Sequence, residues 1–216
     1  MTDTTDDAGL LALVARIRAA GLVVSLRADQ AVDLLLEVGD ALLAAPVLVV
    51  AIPMNHPEAT ALLAAYRERY GDHLLIGAGS ITTMPTGTAA LAAGAEFLLT
   101  SRYETSLHTL ATRCGALYIP PATAPAALPA LAMTKVLMAT VQSSVLRSTA
   151  PWPSTSSPAL LANATEHTND ITACARAGAA ALTVEKLLFP TPSWSMPTMI
   201  RQARLLRRTW FAATGS

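Results

Sequence analysis

The feature that most constrains this sequence is a rhythm. Short apolar runs of β-forming composition recur at Leu22–Leu26, Val47–Ile52, Leu74–Gly77, Glu96–Leu99, Leu117–Ile119, Val136–Val141, Ala159–Ala162 and Ala180–Val184. Between them lie segments of helical periodicity, such as Ala31–Leu43, Glu58–Tyr70, Thr105–Arg113 and Asn169–Ala177. Strands that alternate with helices pair in parallel through right-handed crossovers. Eight such units in 216 residues is the count at which the sheet closes on itself, so the predicted fold is α/β, a (β/α)8 TIM barrel. A doubly wound open sheet, the competitor, needs fewer strands and offers a Gly-rich first turn. Here that turn is Leu26-Arg27-Ala28-Asp29-Gln30, which has no glycine.

Helix punctuation agrees. Asp29 is expected to cap a helix beginning at Gln30, and Pro85 suits a first helical turn. Gly94 and Gly178 each follow an Ala-rich helix and precede a strand, the place of a C-terminal cap. An extra N-terminal helix, Leu10–Ala20, is expected to close the bottom of the barrel. Ser148–Pro158 reads as an irregular loop rather than a linker, so residues 1–216 are expected to form one domain, with residues 1–8 flexible.

Composition excludes several classes of function. With 52% hydrophobic and 14% charged residues the chain is not disordered, and zero net charge argues against nucleic acid or an anionic membrane as partner. The longest apolar run, Ala41 to Met54, is too short to span a bilayer and contains Pro46 and Pro53. The acidic start, Met1 to Asp7, is unlike a signal peptide. Cys114 and Cys174 lack metal or redox spacing and read as buried free thiols, which places the protein in a reducing cytoplasm. His56, His73, His108 and His167 show no ligand spacing either, so neither a metal nor a cofactor is expected.

Five stretches, in order from about residue 20 to residue 210, carry a resemblance. Ile76-Gly77-Ala78-Gly79-Ser80-Ile81 resembles a Val-Gly-Ala-Gly-Thr-Val third strand, and Ala92 to Leu99 an Ala-Gly-Ala-x-Phe-Ile-Val fourth. Val24 to Asp29 is similar to a Pro-Val-Leu-Arg-Ala opening strand. Tyr118-Ile119-Pro120-Pro121 with Pro125 follows the fifth strand and its loop, and Ala177 to Leu182 the approach to the eighth. The family they resemble is that of the 2-keto-3-deoxy-6-phosphogluconate (KDPG) and 4-hydroxy-2-oxoglutarate aldolases. The resemblance implies a class I aldol cleavage: a sixth-strand lysine forms a Schiff base, a second-strand glutamate moves protons, and glycine-rich turns after the seventh and eighth strands hold a phosphate. It also implies a homotrimer.

Each of those positions differs in this chain. Val49 aligns with the glutamate, and no acidic residue lies between Asp40 and Glu58. Thr140 aligns with the Schiff-base lysine. The seventh-strand turn reads Asn163-Ala164-Thr165 and the eighth Thr183-Val184-Glu185-Lys186, with a carboxylate where phosphate would sit. The sequence has two lysines. Lys135 is placed at the base of the sixth strand, away from the catalytic face, and Lys186 beside Glu185 at the correct end, as a surface ion pair or a displaced nucleophile.

The expectation is therefore a catalytically inactive aldolase-like barrel, serving as a structural or binding subunit of a homo-oligomer or of a larger assembly with a protein partner. The alternative is an enzyme with an altered site acting on a small 2-oxo acid, or a misaligned aldolase that uses Lys135. Candidate ligand-binding residues are Arg27, Gly79, Ser80, Asn163, Glu185 and Lys186. Arg27 suits bidentate anion recognition but would equally pair with a nearby carboxylate. Asn163, Glu166 and His167 form a polar cluster or cap the next helix. Trp152 and Trp194, in loops near one face, are candidates to fill the mouth or contact a partner.

Overall fold

A computed structural model of the chain describes residues 4–148, 158–164, 168–189 and 195–215. Eight parallel strands are found: β1 (Leu22–Ser25), β2 (Val49–Pro53), β3 (Leu75–Ile81), β4 (Phe97–Thr100), β5 (Leu117–Ile119), β6 (Met138–Gln142), β7 (Ala159–Ala164) and β8 (Ala181–Val184). They are hydrogen-bonded in the order β5-β4-β3-β2-β1-β8-β7-β6. The ends of that sheet meet: the Thr140 N–H donates to the Pro120 carbonyl at 2.8 Å, and the Ala122 N–H to the Thr140 carbonyl at 2.7 Å. The result is a closed (β/α)8 barrel.

Helices α1 (Thr4–Ala20), α2 (Val32–Ala44), α3 (Ala59–Tyr70), α4 (Met84–Ala92), α5 (Thr105–Arg113), α6 (Leu128–Met133), α7 (Ser143–Ser148), α8 (Thr168–Arg176) and α9 (Met196–Thr214) surround it. α9 buries Met199, Ala203, Leu206 and Trp210, a single face at helical spacing, and contacts α8 and α2. α1 lies at the bottom, where Val14, Ile17 and Ala20 join the inner core.

Strand alternation divides the core in two. Val23, Val49, Ala51, Leu75, Phe97, Met138, Leu161 and Ala181 belong to the inner cluster, while their neighbours Val24, Val50, Ile76, Leu98, Ala139, Ala162 and Leu182 face the helices. Gly77 is an inner position, and a Cβ there would lie 2.4 Å from three atoms of the Phe97 ring. Phe97 thus occupies the side-chain space that Gly77 leaves empty.

The predicted C-terminal caps are present. Gly94 (φ +95°) and Gly178 (φ +86°) are left-handed, and the following N–H groups, of Ala95 and Ala179, reach back to Ala90 and Cys174. Pro85 sits in the first turn of α4, whose Thr83 cap accepts from Thr86 N–H.

Other expectations need correction. α1 starts at Thr4 rather than Leu10, its first turns carrying Asp7, which suits the positive helix end, but no apolar periodicity. Asp29 does not cap α2: that helix begins at Val32 after Ala31 with no side-chain cap, because Asp29 is held by Arg27. Cys174 is buried, but Cys114 is exposed at the end of α5, just before the left-handed Gly115 (φ +69°) leads the chain into β5. His56 is buried and structural: its Nδ1 accepts from Glu58 N–H at 2.9 Å, so Nε2 donates to the Gln30 carbonyl at 3.0 Å and ties two loops together.

Candidate functional site

At the C-terminal ends of the strands a cavity of about 300 Å³ opens to solvent. Its lining follows from the alternation just described. One inner position below it, β1, β6, β7 and β8 present Val23, Met138, Leu161 and Ala181, all apolar. Two residues further up the same strands, the inward positions become Ser25, Thr140, Asn163 and Thr183, all lining the cavity. These four strands are consecutive around the barrel, so hydroxyl and amide groups form one continuous polar wall. Gly79 and Leu99, from β3 and β4, form the opposite wall.

The rim adds Ser80, Thr100, Ser101, Glu185 and Lys186. Ser80 adopts φ +57°, unusual for a residue with a side chain, at a bulge where the β3–β4 register shifts between Ala78 and Ile81. Thr100 and Ser101 donate their hydroxyl protons to the carbonyls of Arg102 (3.0 Å) and Ile81 (3.3 Å), so toward the cavity they act as acceptors. Thr183 differs: it is only 7% exposed, and its Oγ1 has no hydrogen-bond partner among the described residues.

Glu185 and Lys186 are the lining residues that carry charge. Both are exposed, but the Glu185 carboxyl is partly withdrawn from water, which pushes its pKa up; Arg27 and Lys186 oppose that shift and Asp29 adds to it. Arg27 does not line the cavity. Its guanidinium forms a two-point pair with Asp29, at 2.9 and 2.6 Å, which raises the Arg27 pKa and holds the Asp29 carboxyl well below the usual carboxylate range.

The structure therefore brings together Gly79, Ser80, Asn163, Glu185 and Lys186 of the predicted residues, and leaves Arg27 at the edge, paired. Thr140 faces the cavity. Val49 does not: it lies in the inner apolar cluster, in register with Leu75, and the next inward β2 residue, Ala51, has its Cβ 3.8 Å from where a Gly79 Cβ would be. Neither residue can carry a proton. Lys135 (φ +60°) is exposed just after α6 and borders an outer groove with α1 and α5 residues, not the cavity. Trp152, Trp194, Thr165, Glu166 and His167 lie outside the described residues. Ser25, Leu99, Thr100, Ser101 and Thr183 were not anticipated. Among the described residues no group of His, Cys, Asp and Glu could hold a metal ion, and no helix is long and apolar enough to cross a membrane.

No family model matches the sequence, and no curated protein matches it by sequence. Solved structures match it by shape. A structure described as native KDPGal superposes with a TM-score of 0.77 at 20% identity, covering 90% of this chain and 96% of that one. A 4-hydroxy-2-oxoglutarate/KDPG aldolase from TTHB1 gives 0.74 at 18% identity, covering 91% and 98%. The KDPG aldolase of Zymomonas mobilis ZM4 with 3-phosphoglycerate gives 0.72 at 13% identity, covering 90% and 94%. The fold is thus the aldolase-like barrel of these proteins, over almost the whole chain.

Proposed function

We propose that this chain is a degenerate member of the KDPG/4-hydroxy-2-oxoglutarate aldolase family, without Schiff-base activity, that serves as a ligand-binding and structural subunit of a cytoplasmic homo-oligomer, a homotrimer. The observation that carries this reading is Thr140. It is the inward residue of β6 at the level of the cavity, where the family resemblance places the imine-forming lysine. A threonine hydroxyl cannot form an imine, because that step needs a deprotonated amine attacking a carbonyl. On β2, Ala51 and Val49 offer no group to move protons. At the β8 rim, Glu185 opposes a dianion where the family has glycines that leave N–H donors open.

One observation favours a second reading, an enzyme of altered chemistry: Lys186 and Glu185 both line the cavity, and burial raises the Glu185 pKa as a proton donor requires. Incubation with KDPG and with 4-hydroxy-2-oxoglutarate separates the two. The proposed function predicts no pyruvate above the rate without protein. Pyruvate release that disappears in Lys186→Met would establish the altered enzyme instead. Sedimentation at micromolar concentration should give three times the chain mass, and a monomer would remove the trimer from the account.

A further inference from the structure

We infer that the barrel mouth binds a small, uncharged, polyhydroxylated molecule, a polyol or free sugar no larger than a monosaccharide, through Thr183 and the hydroxyl and amide groups beside it. The inference rests on the proposed reading of the cavity as a binding site rather than a Schiff-base site, and it specifies the ligand.

The first observation is the Thr183 hydroxyl. The Thr183 side chain lines the cavity and is 7% exposed, and its hydroxyl, with almost no accessible surface, has no hydrogen-bond partner among the described residues. Folded proteins rarely leave a buried polar atom in that state, since desolvation without a replacement hydrogen bond is costly. A molecule in the open mouth removes the deficit once the Thr183 side chain turns its hydroxyl toward it.

The second observation is the kind of group around it. Asn163 is the register partner of Thr183 on β7, and Ser25 and Thr140 continue the wall on either side of that pair. The Ser25 and Thr183 hydroxyls and the Asn163 carboxamide can each donate and accept, while the Thr140 hydroxyl donates to the Pro120 carbonyl at 3.5 Å and toward the cavity accepts. Carboxylates and phosphates only accept, so half of this wall's capacity is wasted on them, whereas a polyol matches both roles. The facing wall, Gly79 and Leu99, is apolar and presents a surface for the C–H side of such a molecule.

Charge points the same way. Glu185 and Lys186 cancel at the rim, and the arginines near it are already paired, Arg27 with Asp29 and Arg102 with Glu104. An anion entering the mouth meets Glu185 as well as Lys186. A neutral ligand avoids that opposition and uses both as hydrogen-bonding groups. Finally, a cavity of about 300 Å³ is at the small end of ligand sites, the size range of a three- to six-carbon molecule.

Calorimetry on the intact protein tests this with glycerol, erythritol, xylitol, D-ribose and D-glucose, against pyruvate, inorganic phosphate and 3-phosphoglycerate. The expected result is that at least one neutral probe binds with a Kd below about 1 mM and more tightly than every anion. Thr183→Val, which keeps the shape and removes the hydroxyl, should weaken that probe about tenfold, one hydrogen bond's contribution. Its melting temperature should not fall, so lost binding would not reflect lost folding. The inference is overturned if no neutral probe binds, if an anion binds more tightly, or if Thr183→Val binds as well as the parent. These failures leave the non-catalytic reading standing; pyruvate production in the cleavage assay removes that.

Discussion

Two glycines on one strand receive the same methyl group in a pair of substitutions that should have opposite outcomes. In Gly77→Ala the new Cβ would lie 2.4 Å from Cγ, Cδ2 and Cε2 of Phe97. The ring must retreat by about 1 Å to reach an ordinary carbon–carbon separation near 3.5 Å. It is fully buried inside the barrel, so the movement spreads into a close-packed layer. Overpacking of this kind costs about 1–3 kcal/mol. At about 2–4 °C per kcal/mol for a domain of this size, the melting temperature should fall by about 2–12 °C. In Gly79→Ala, two residues along, the nearest atom to the new Cβ is the Ala51 Cβ at 3.8 Å, an ordinary contact, and the change should stay within about 0.5 kcal/mol of zero. Circular dichroism melts of both variants, with Gly77→Ala/Phe97→Leu as the relief of the clash, measure the difference. If Gly77→Ala melts no lower than Gly79→Ala, or Phe97→Leu restores nothing, Phe97 does not occupy the space over Gly77 and the description of the barrel interior fails.

The remaining predictions concern the polar wall and pH. Thr183→Val should stabilise the ligand-free protein by about 1 kcal/mol, since it removes a buried hydroxyl without a partner and keeps the side-chain shape; a lower denaturation midpoint would mean that the hydroxyl is satisfied. His108 stacks on Tyr118 with ring centroids 5.0 Å apart, and burial lowers its pKa below the ordinary value of about 6.5. The unfolded chain therefore takes up that proton first, and the stability contributed by neutral His108 is present above about pH 6.5 and lost as pH falls toward the folded pKa. Urea midpoints at pH 7.5 and 5.5 should drop more for the parent than for His108→Gln, and equal drops would contradict the assignment.

What the sequence discloses and what it withholds have a common physical origin. The βα rhythm and the glycine caps are local signals, written in periodicity and in left-handed backbone, and they locate all eight strands to within a few residues. The site is legible at strand ends: Ser80 is the next-to-last residue of β3, and Glu185 and Lys186 follow β8. Ser25 and Thr183 are not legible in the same way. Which residues of a short strand point inward depends on the register around the closed barrel, and a strand covered by helices outside and side chains inside is apolar on both faces. The same holds on the second strand, where neither Val49 nor Ala51 lines the cavity. Arg27 and Asp29 illustrate a different limit. Each has a plausible role alone, anion binding and helix capping, and their mutual pair takes both away.

The central claim is that this barrel keeps the aldolase shape without an amine that forms an imine in the cavity. Borohydride trapping tests it most directly. The protein is incubated with pyruvate, reduced with sodium borohydride, and weighed intact by mass spectrometry, with peptide mapping over Lys135 and Lys186. The account predicts a mass identical to that of the untreated chain. A pyruvate adduct on Lys186 would show a relocated nucleophile at the mouth, and one on Lys135 would show that the sixth-strand comparison with Thr140 is wrong; either adduct contradicts the claim.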